Sequence, residues 1–171
     1  MSITMKLLIV ALLSMLSFVS HGKVISHSEN SFELSSQVVI NQPMETVFQQ
    51  FDQIGLWWHP DHTFSGNAQN MTLDIKDACF CERWDNNIVR HMDIVAVEKN
   101  KRQVWRGGLG PLQSFAVSGA LTWNFKSIGN DQTSVTYTYR VYGAIPDAKT
   151  WSTAVDGVLT QQLTRLKNSI K

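Results

Sequence analysis

Two cysteines, a histidine and an aspartate lie close together in one stretch of this chain and could carry chemistry. Cys79 and Cys81 flank one phenylalanine, and His91 and Asp93 follow after a short polar segment, residues 85–87. Thiolate, imidazole and carboxylate groups are ordinary zinc ligands. Two thiols can also form a disulfide in an oxidising compartment, and an imidazole beside a carboxylate can act as a general base. Which of these applies depends on how the segment folds.

These residues belong to a predicted β-hairpin, and its register decides which side chains meet. A three-residue loop pairs Glu82 with Arg90, whereas a two-residue Asn-Asn turn sets Arg83 against Arg90. Opposite charges directly across an antiparallel pair stabilise it and like charges destabilise it, so we predict the three-residue loop. In that register four side chains share one face of the sheet, in two facing pairs: Cys81 with His91, and Cys79 with Asp93.

Three interpretations of this cluster remain open. The Cys-x-Cys spacing is shorter than the Cys-x₂-Cys pair typical of zinc sites, and we predict no bound metal. A disulfide suits an exported protein, although residues i and i+2 of a flat strand lie about 6.5–7 Å apart at Cα, the upper limit for a disulfide. The favoured interpretation is two small thiols buried in the sheet beside a hydrogen-bonded His91.

A second polar cluster, His59-Pro60-Asp61-His62, also contains possible metal ligands. Because the proline predicts a turn rather than a helix, the two histidines need not converge on one ion. We favour a solvated turn in which Asp61 acts as a cap. Asp61 and Asp93 are the two candidates for orienting His91, should His91 act as a general base.

The chain begins with a predicted export signal. Lys6 precedes an apolar run, Leu7–Val19, which is too short to span a bilayer comfortably, and small residues suitable for cleavage follow. We predict a signal peptide over residues 1–22 and one exported domain, periplasmic or secreted, over residues 23–171, with no membrane segment after cleavage. A net charge of +1 gives no electrostatic argument for nucleic-acid binding. Oligomeric state stays open.

The first elements of the domain can be recognised from periodicity. Residues 23–30 are polar and predicted to be frayed, and residues 31–40 predict a strand. Pro43 fits the first position of a short amphipathic helix, whose apolar face is Val47, Phe48, Phe51 and Ile54 and which Gly55 ends. The turn-rich segment Leu56–Gly66 is expected to form a lid or wall over the core, because it carries Trp57 and Trp58.

The rest of the chain predicts strands and then one long helix. Residues 101–106, 115–125 and 135–141 read as strands, and the last two alternate apolar and polar residues as half-buried antiparallel strands do. A final amphipathic helix starts near Asp147 and covers 150–170, with one apolar stripe expected to face the sheet. The stripe is Trp151, Val155, Val158, Leu159, Leu163, Leu166 and Ile170.

Several segments together resemble the SRPBCC, or START-like, superfamily, and most closely its bacterial proteins grouped with polyketide cyclases and chaperone-ATPase-activator homologues. They are VVINQPMETVFQQF, WWHPDHTFSG, CFCERW, VWRGGLGPLQ, SGALTWNF and TSVTYTYRVYG, followed by the C-terminal helix. The resemblance covers residues 32–170. It implies an α+β helix-grip fold, in which a curved antiparallel sheet wraps around a long C-terminal α-helix, with a short helical segment after the first strand.

The same resemblance implies a protein that holds a small hydrophobic molecule between sheet and helix, without a cofactor. The family shares no catalytic motif, so enzymatic activity is left uncertain. By matching elements, the expected ligand contacts are Trp57, Trp58, Cys81, His91, Trp105, Trp123, Tyr137 and Tyr139. One alternative is a polyketide cyclase-like enzyme with His91 as general base. The other is a metal- or redox-linked module using Cys79, Cys81 and His91.

Overall fold

One antiparallel β-sheet and two α-helices make up the protein in a computed structural model, which describes residues 23–170. The predicted signal peptide therefore lies outside the described residues. The strands are β1 (Lys23–Ser28), β2 (Ser31–Ile40), β3 (Met71–Asp74), β4 (Cys79–Trp84), β5 (Asn87–Glu98), β6 (Arg102–Arg106), β7 (Val117–Ile128) and β8 (Gln132–Gly143). The helices are α1 (Met44–Asp52) and α2 (Ala148–Ser169).

The eight strands form one sheet in the order β1-β2-β8-β7-β6-β5-β4-β3. Each neighbouring pair is antiparallel, and register shifts interrupt three of the pairs, β1–β2, β4–β5 and β5–β6. Such bulges bend a strand and increase its twist, which lets the sheet curve. The helix α2 contacts β2 and β1 at one side of the sheet. This is the α+β architecture that the sequence predicts.

The inner face of the central strands forms the core. Val135, Tyr137, Tyr139 and Val141 of β8 are all buried, as the alternation predicts. Trp123 of β7 contacts Tyr137 with ring centroids 5.5 Å apart. On β7 the pattern holds from Val117 onward. Phe115 lies before the strand begins and packs edge-on against Trp151.

The helix α2 begins where the sequence places it. Asp147 is its N-cap, and the side chain accepts a hydrogen bond from the backbone N–H of Thr150 at 3.2 Å, which satisfies one of the donors left unpaired at a helix start. The predicted stripe faces inward: Val155, Leu159, Leu163 and Leu166 are buried.

Two local predictions are corrected near the N-terminus. Residues 23–28, expected to be frayed, form the edge strand β1, because backbone pairing with β2 needs no apolar side chains. The helix α1 begins at Met44 with Pro43 at the N-cap position, and it ends at Asp52 rather than at Gly55. A short 3₁₀ turn, Ile54–Leu56, follows it and buries Ile54 with the predicted apolar face.

The tryptophan-bearing segment after α1 forms a wall against the core, as expected. Trp57 and Trp58 are both buried. The indole N–H of Trp57 donates to the carbonyl of Phe51 at 3.0 Å, and the guanidinium of Arg165, on α2, donates to the carbonyl of Trp57 at 2.8 Å. These bonds fix the segment between α1 and α2.

The hairpin between β4 and β5 differs from both registers considered above. Trp84 pairs with Asn87, so the loop has only two residues, and Glu82 pairs with Val89 rather than with Arg90. A register shift beyond Cys81 then restores the predicted pairing of Cys79 with Asp93. Hairpins favour two-residue loops because the twist of these turns matches that of the strands. The bulge accommodates the difference between the register set by the loop and the register beyond Cys81. Charge pairing alone therefore predicted the wrong loop.

Over residues 23–170, neither helix is both long and apolar enough to cross a membrane.

Candidate functional site

The two cysteines are bonded to each other and face away from the interior. Cys79 and Cys81 form a disulfide with a Cα–Cα distance of 5.3 Å, below the span of a flat strand. The favoured prediction of two free thiols is therefore wrong. Phe80, between them, points to the opposite face and packs against Trp105 in the core. Both cysteines are fully buried, although they lie on the outer side of β4.

His91 occupies the bulge of β5 and lies on the other face of the sheet. Arg90 pairs with Cys81 and Met92 pairs with Phe80, so His91 is the extra residue between them. His91 and Met92 are consecutive yet both buried. The imidazole stacks on Phe80 with ring centroids 4.8 Å apart. The predicted grouping of both cysteines with His91 on one face does not form.

Glu82 is a candidate site residue that the sequence analysis missed. Its side chain is completely buried and its carboxylate accepts three hydrogen bonds. The donors are Nε2 of His91 at 3.0 Å, the backbone N–H of Phe64 at 2.9 Å and that of Ser65 at 2.5 Å. The alternation of β4 could have predicted that Glu82 is buried, because it places Glu82 on the same face as Phe80. A charge on an inward face requires partners.

The protonation states of this pair follow from its surroundings. Burial raises the pKa of Glu82, but hydrogen bonds from Ser65, Phe64 and His91 outweigh burial and lower the pKa overall. Burial lowers the pKa of His91 and outweighs the opposing influence of Glu82. At neutral pH a carboxylate thus faces a neutral imidazole. Because a carboxylate only accepts, Nε2 of His91 carries the proton and Nδ1 keeps a free lone pair.

A cavity of about 330 Å³ opens beside His91. Its walls come from the segment after α1, from the loop between β6 and β7, and from the first half of α2. The apolar lining includes Trp58, Phe64, Leu109, Trp151, Val155 and Val158. Asp61, His62 and Thr63 also line it, and the side chain of Asp61 is 81% exposed. The cavity is therefore a largely apolar space with polar groups toward solvent and the buried imidazole of His91 in its wall.

Only two of the predicted ligand contacts, Trp58 and His91, line this cavity. The aromatic residues among the others fill the space between sheet and helix, and Cys81 lies on the outer face. The rings of Trp105 and Trp123 are tilted against each other with centroids 5.8 Å apart, and the Tyr137 hydroxyl lies within hydrogen-bond distance of Thr160 and Asp156 on α2. The aromatic side chains are bulky enough to close the central part of the interior. They are Trp57, Trp105, Trp123, Tyr137 and Tyr139.

Neither aspartate considered as a partner of His91 contacts it. Asp93 accepts a hydrogen bond from Arg90 at 2.7 Å on the outer face. Asp61 lies beside Nδ1 of His59, which accepts the backbone N–H of Asp61 at 3.1 Å. The segment is a turn, as predicted, but His59 rather than Asp61 provides the cap. Glu82 takes the position that the sequence analysis offered to Asp93 or Asp61.

Metal binding has no assembled site in the part of the chain that the structure describes. No group of three or more histidine, cysteine, aspartate or glutamate side chains is arranged to hold an ion there. Nε2 of His62 donates to Oε1 of Gln161 at 2.8 Å, and both cysteines are engaged in the disulfide.

Comparison with known proteins shows the fold and no more. Neither a protein-family model nor a curated protein matches the sequence. Among solved structures, a protein of unknown function from Enterococcus faecalis, EF2215, is similar with a TM-score of 0.60 and 10% identity, covering 89% of this chain and 77% of that one. The hypothetical protein jhp0584 from Helicobacter pylori gives 0.55 and 17%, covering 80% and 86%.

A third similar structure is CalU16 from Micromonospora echinospora, with a TM-score of 0.53 and 10% identity over 90% of this chain and 85% of that one. At these identities the similarity concerns the fold alone. It is consistent with a helix-grip-like arrangement of an antiparallel sheet and a C-terminal helix.

Proposed function

We propose that this chain is an exported, periplasmic or secreted SRPBCC, or START-like, protein that binds a small hydrophobic molecule without a cofactor. The observation that carries the proposal is the cavity of about 330 Å³ beside His91. Its volume falls in the range of small-molecule sites, which are mostly apolar with a few placed polar groups. Trp58, Val155 and Val158 supply apolar walls from two different elements.

The site differs from the one that the sequence alone suggests. The bound molecule would lie at the end of the sheet near the start of α2, rather than along the whole helix. Trp151 and Val155 would cover it from α2, and Phe64, more than half exposed, would lie at the opening.

A second candidate function is enzymatic, and the Glu82–His91 pair favours it. A histidine that faces a cavity and is oriented by a buried carboxylate has the arrangement of a general base. Nδ1 of His91 would remove a proton from the bound molecule, and Glu82, bonded to Nε2, would stabilise the resulting imidazolium. The polyketide cyclase-like alternative thus keeps His91 and replaces Asp93 or Asp61 by Glu82.

Cys79 and Cys81 form a disulfide, but the geometry gives no support to a metal- or redox-linked module that combines them with His91. Cys79 and Cys81 lie on the outer face of β4, whereas His91 lies on the inner face of β5. A shared site would need both faces of the sheet.

Native mass spectrometry of the exported protein, purified without detergent, chelator or reductant, tests the binding function. We expect additional mass that organic solvent removes as an apolar molecule. Incubating the protein with that molecule separates the two candidates: a binder returns it unchanged in mass and structure, and an enzyme converts it. Protein that carries no such molecule and takes none up from a lipid and metabolite extract would refute the proposal.

A matched pair of variants locates the site. Ala154→Trp introduces a large ring into the cavity wall, whereas Thr153→Trp places the same ring on the exposed side of α2. Ala154→Trp should lose the bound molecule and Thr153→Trp should retain it. If both variants retain the bound molecule, it binds outside this cavity.

A further inference from the structure

One residue in the cavity wall has a buried ring nitrogen without a hydrogen-bond partner. Four buried polar side-chain atoms of the described residues lack a hydrogen bond: Nδ1 of His91, Oδ1 of Asn100, Nε1 of Trp123 and Nε2 of Gln162. Of these four residues only His91 lines the cavity. Buried polar atoms are almost always paired in native proteins, so an unpaired atom on a residue that lines a cavity points to a partner that the cavity receives.

The chemistry of this atom is defined by its neighbour. Glu82 accepts backbone hydrogen bonds from Phe64 and Ser65, which hold it as a carboxylate. A carboxylate has no proton to give, so the bond to Nε2 of His91 requires the proton on that nitrogen. Nδ1 is then an acceptor. It can bind a hydroxyl or N–H group and cannot satisfy a carbonyl or an ether.

The imidazole is also held in place. It stacks on Phe80 at 4.8 Å and lies 5.7 Å from the ring of Phe64 between centroids. Glu82 binds both the imidazole and the backbone of the segment that carries Phe64. A group fixed in its binding orientation loses little entropy when a ligand arrives.

We infer that the ligand of this cavity is an apolar compound bearing a hydroxyl or N–H group, which donates a hydrogen bond to Nδ1 of His91. The inference rests on the proposed function and adds to it the chemical class of the ligand. His91 is then the residue that distinguishes an alcohol or phenol from the corresponding ether or hydrocarbon.

Two probes of one shape test this: 2-naphthol and 2-methoxynaphthalene. The ether is the more apolar molecule, so hydrophobic burial alone favours it. We expect the intact exported domain, stripped of endogenous ligand, to bind 2-naphthol about 3- to 10-fold more tightly, the ratio of one neutral hydrogen bond. Tighter or equal binding of the ether would overturn the inference and leave the proposed function standing. Binding of neither probe would overturn the inference, whereas the proposed function is refuted only by the mass-spectrometric result described above.

Two histidine variants test whether His91 causes the preference for 2-naphthol over 2-methoxynaphthalene. His91→Phe keeps an aromatic ring but removes the acceptor, and should abolish or reverse the preference for 2-naphthol. His27→Phe is the control, because His27 is exposed on β1 and does not line the cavity; it should keep the preference. A preference that survives His91→Phe would overturn the inference.

Nitrogen-15 NMR of the unmodified protein gives an answer that does not depend on how the variants fold. We expect the His91 Nδ1 resonance to have the shift of an unprotonated ring nitrogen, and to move when 2-naphthol is added. The ether should leave it in place. A protonated Nδ1 in the free protein would contradict the inference directly.

Discussion

Nε2 of His91 lies 3.0 Å from Oε2 of Glu82, although the two residues are not paired across their strands. Glu82 pairs with Val89, and the β5 bulge at His91 brings the imidazole onto the same inner face. Without the extra residue, strict alternation would place Met92 and His91 on opposite sides of the sheet. Within residues 23–170, the bulge thus places the one polar side chain that a strand contributes to the cavity lining.

The stability of the protein should depend on pH through His91. Its pKa in the folded protein lies below the ordinary value of 6.5 because burial disfavours the imidazolium. Between these two values the unfolded chain binds a proton that the folded chain does not. The free energy of unfolding should therefore fall as the pH drops below 6.5, with a slope of at most about 1.4 kcal/mol per pH unit. Urea titrations between about pH 7.5 and pH 5.5 measure it.

The variant His91→Gln is the control for this slope. Glutamine retains an N–H donor for Glu82 but does not titrate. Burial raises the pKa of Asp52 and of Asp156, so these two carboxyl groups increase the free energy of unfolding as the pH falls. Both groups are present in the parent and in the variant, so their contribution cancels in the comparison. We expect a smaller loss of stability on acidification in His91→Gln; parallel pH profiles would show that His91 does not titrate as described.

Replacing Glu82 should be costly. Glu82→Ala leaves the backbone donors of Phe64 and Ser65 and Nε2 of His91 without their acceptor, inside the protein. A buried donor left without its acceptor typically costs about 1–3 kcal/mol, so the three together should cost roughly 3 kcal/mol or more. Equilibrium unfolding in urea gives the value.

A surface glutamate is the comparison for Glu82. Glu33 accepts a hydrogen bond from Arg140 at 2.6 Å, but the Arg140 side chain is 67% exposed. Glu33→Ala should cost below about 1 kcal/mol, as exposed ion pairs do. Similar losses in the two variants would mean that Glu82 is solvated in solution.

The cysteines should be oxidised in the exported protein and separate from the cavity. We expect the intact mass to be two hydrogens below that of the dithiol, and no alkylation of the unfolded protein before reduction. The double variant Cys79→Ala/Cys81→Ala should lose little stability, since the disulfide closes a far shorter loop than the 15 residues for which about 3 kcal/mol is expected.

The same double variant should bind 2-naphthol as the unmodified protein does, because the disulfide lies on the outer face of β4. Isothermal titration calorimetry compares the two affinities. A large loss of binding on removal of the disulfide would show that the two faces are coupled.

Two glycines should respond oppositely to alanine. A Cβ at Gly157, inside α2, meets no atom within 4 Å, and a helix gains about 0.5–1 kcal/mol when glycine becomes alanine. A Cβ at Gly119 would collide with the carbonyl of Gly107 and with the ring of Tyr139. Thermal unfolding should show Gly157→Ala more stable and Gly119→Ala less stable than the parent; any gain at Gly119 would contradict this packing.

The periodic segments were predictable from sequence because each hydrophobic pattern indicates which face of its own strand or helix is buried. Val135, Tyr137 and Tyr139 alternate with polar residues since one face of β8 is buried, and Val155, Leu159 and Leu163 recur at helical spacing for the same reason. Strand and helix positions, and the overall α+β class, follow from such local patterns. The N-cap of α2 at Asp147 was equally local.

The site depended on contacts that no local pattern contains. A bulge arises when a short loop and the pairing further along two strands disagree, so the position of His91 is a property of β4 and β5 together. Glu82 has the pattern of an inward residue, but its partners, Phe64 and Ser65, come from a separate loop. The cavity remains where large aromatic side chains do not fill the space between sheet and helix. The sequence by itself determined which elements form and which faces they bury; only tertiary packing decided which polar atoms meet and where space is left, because both depend on residues distant in the chain.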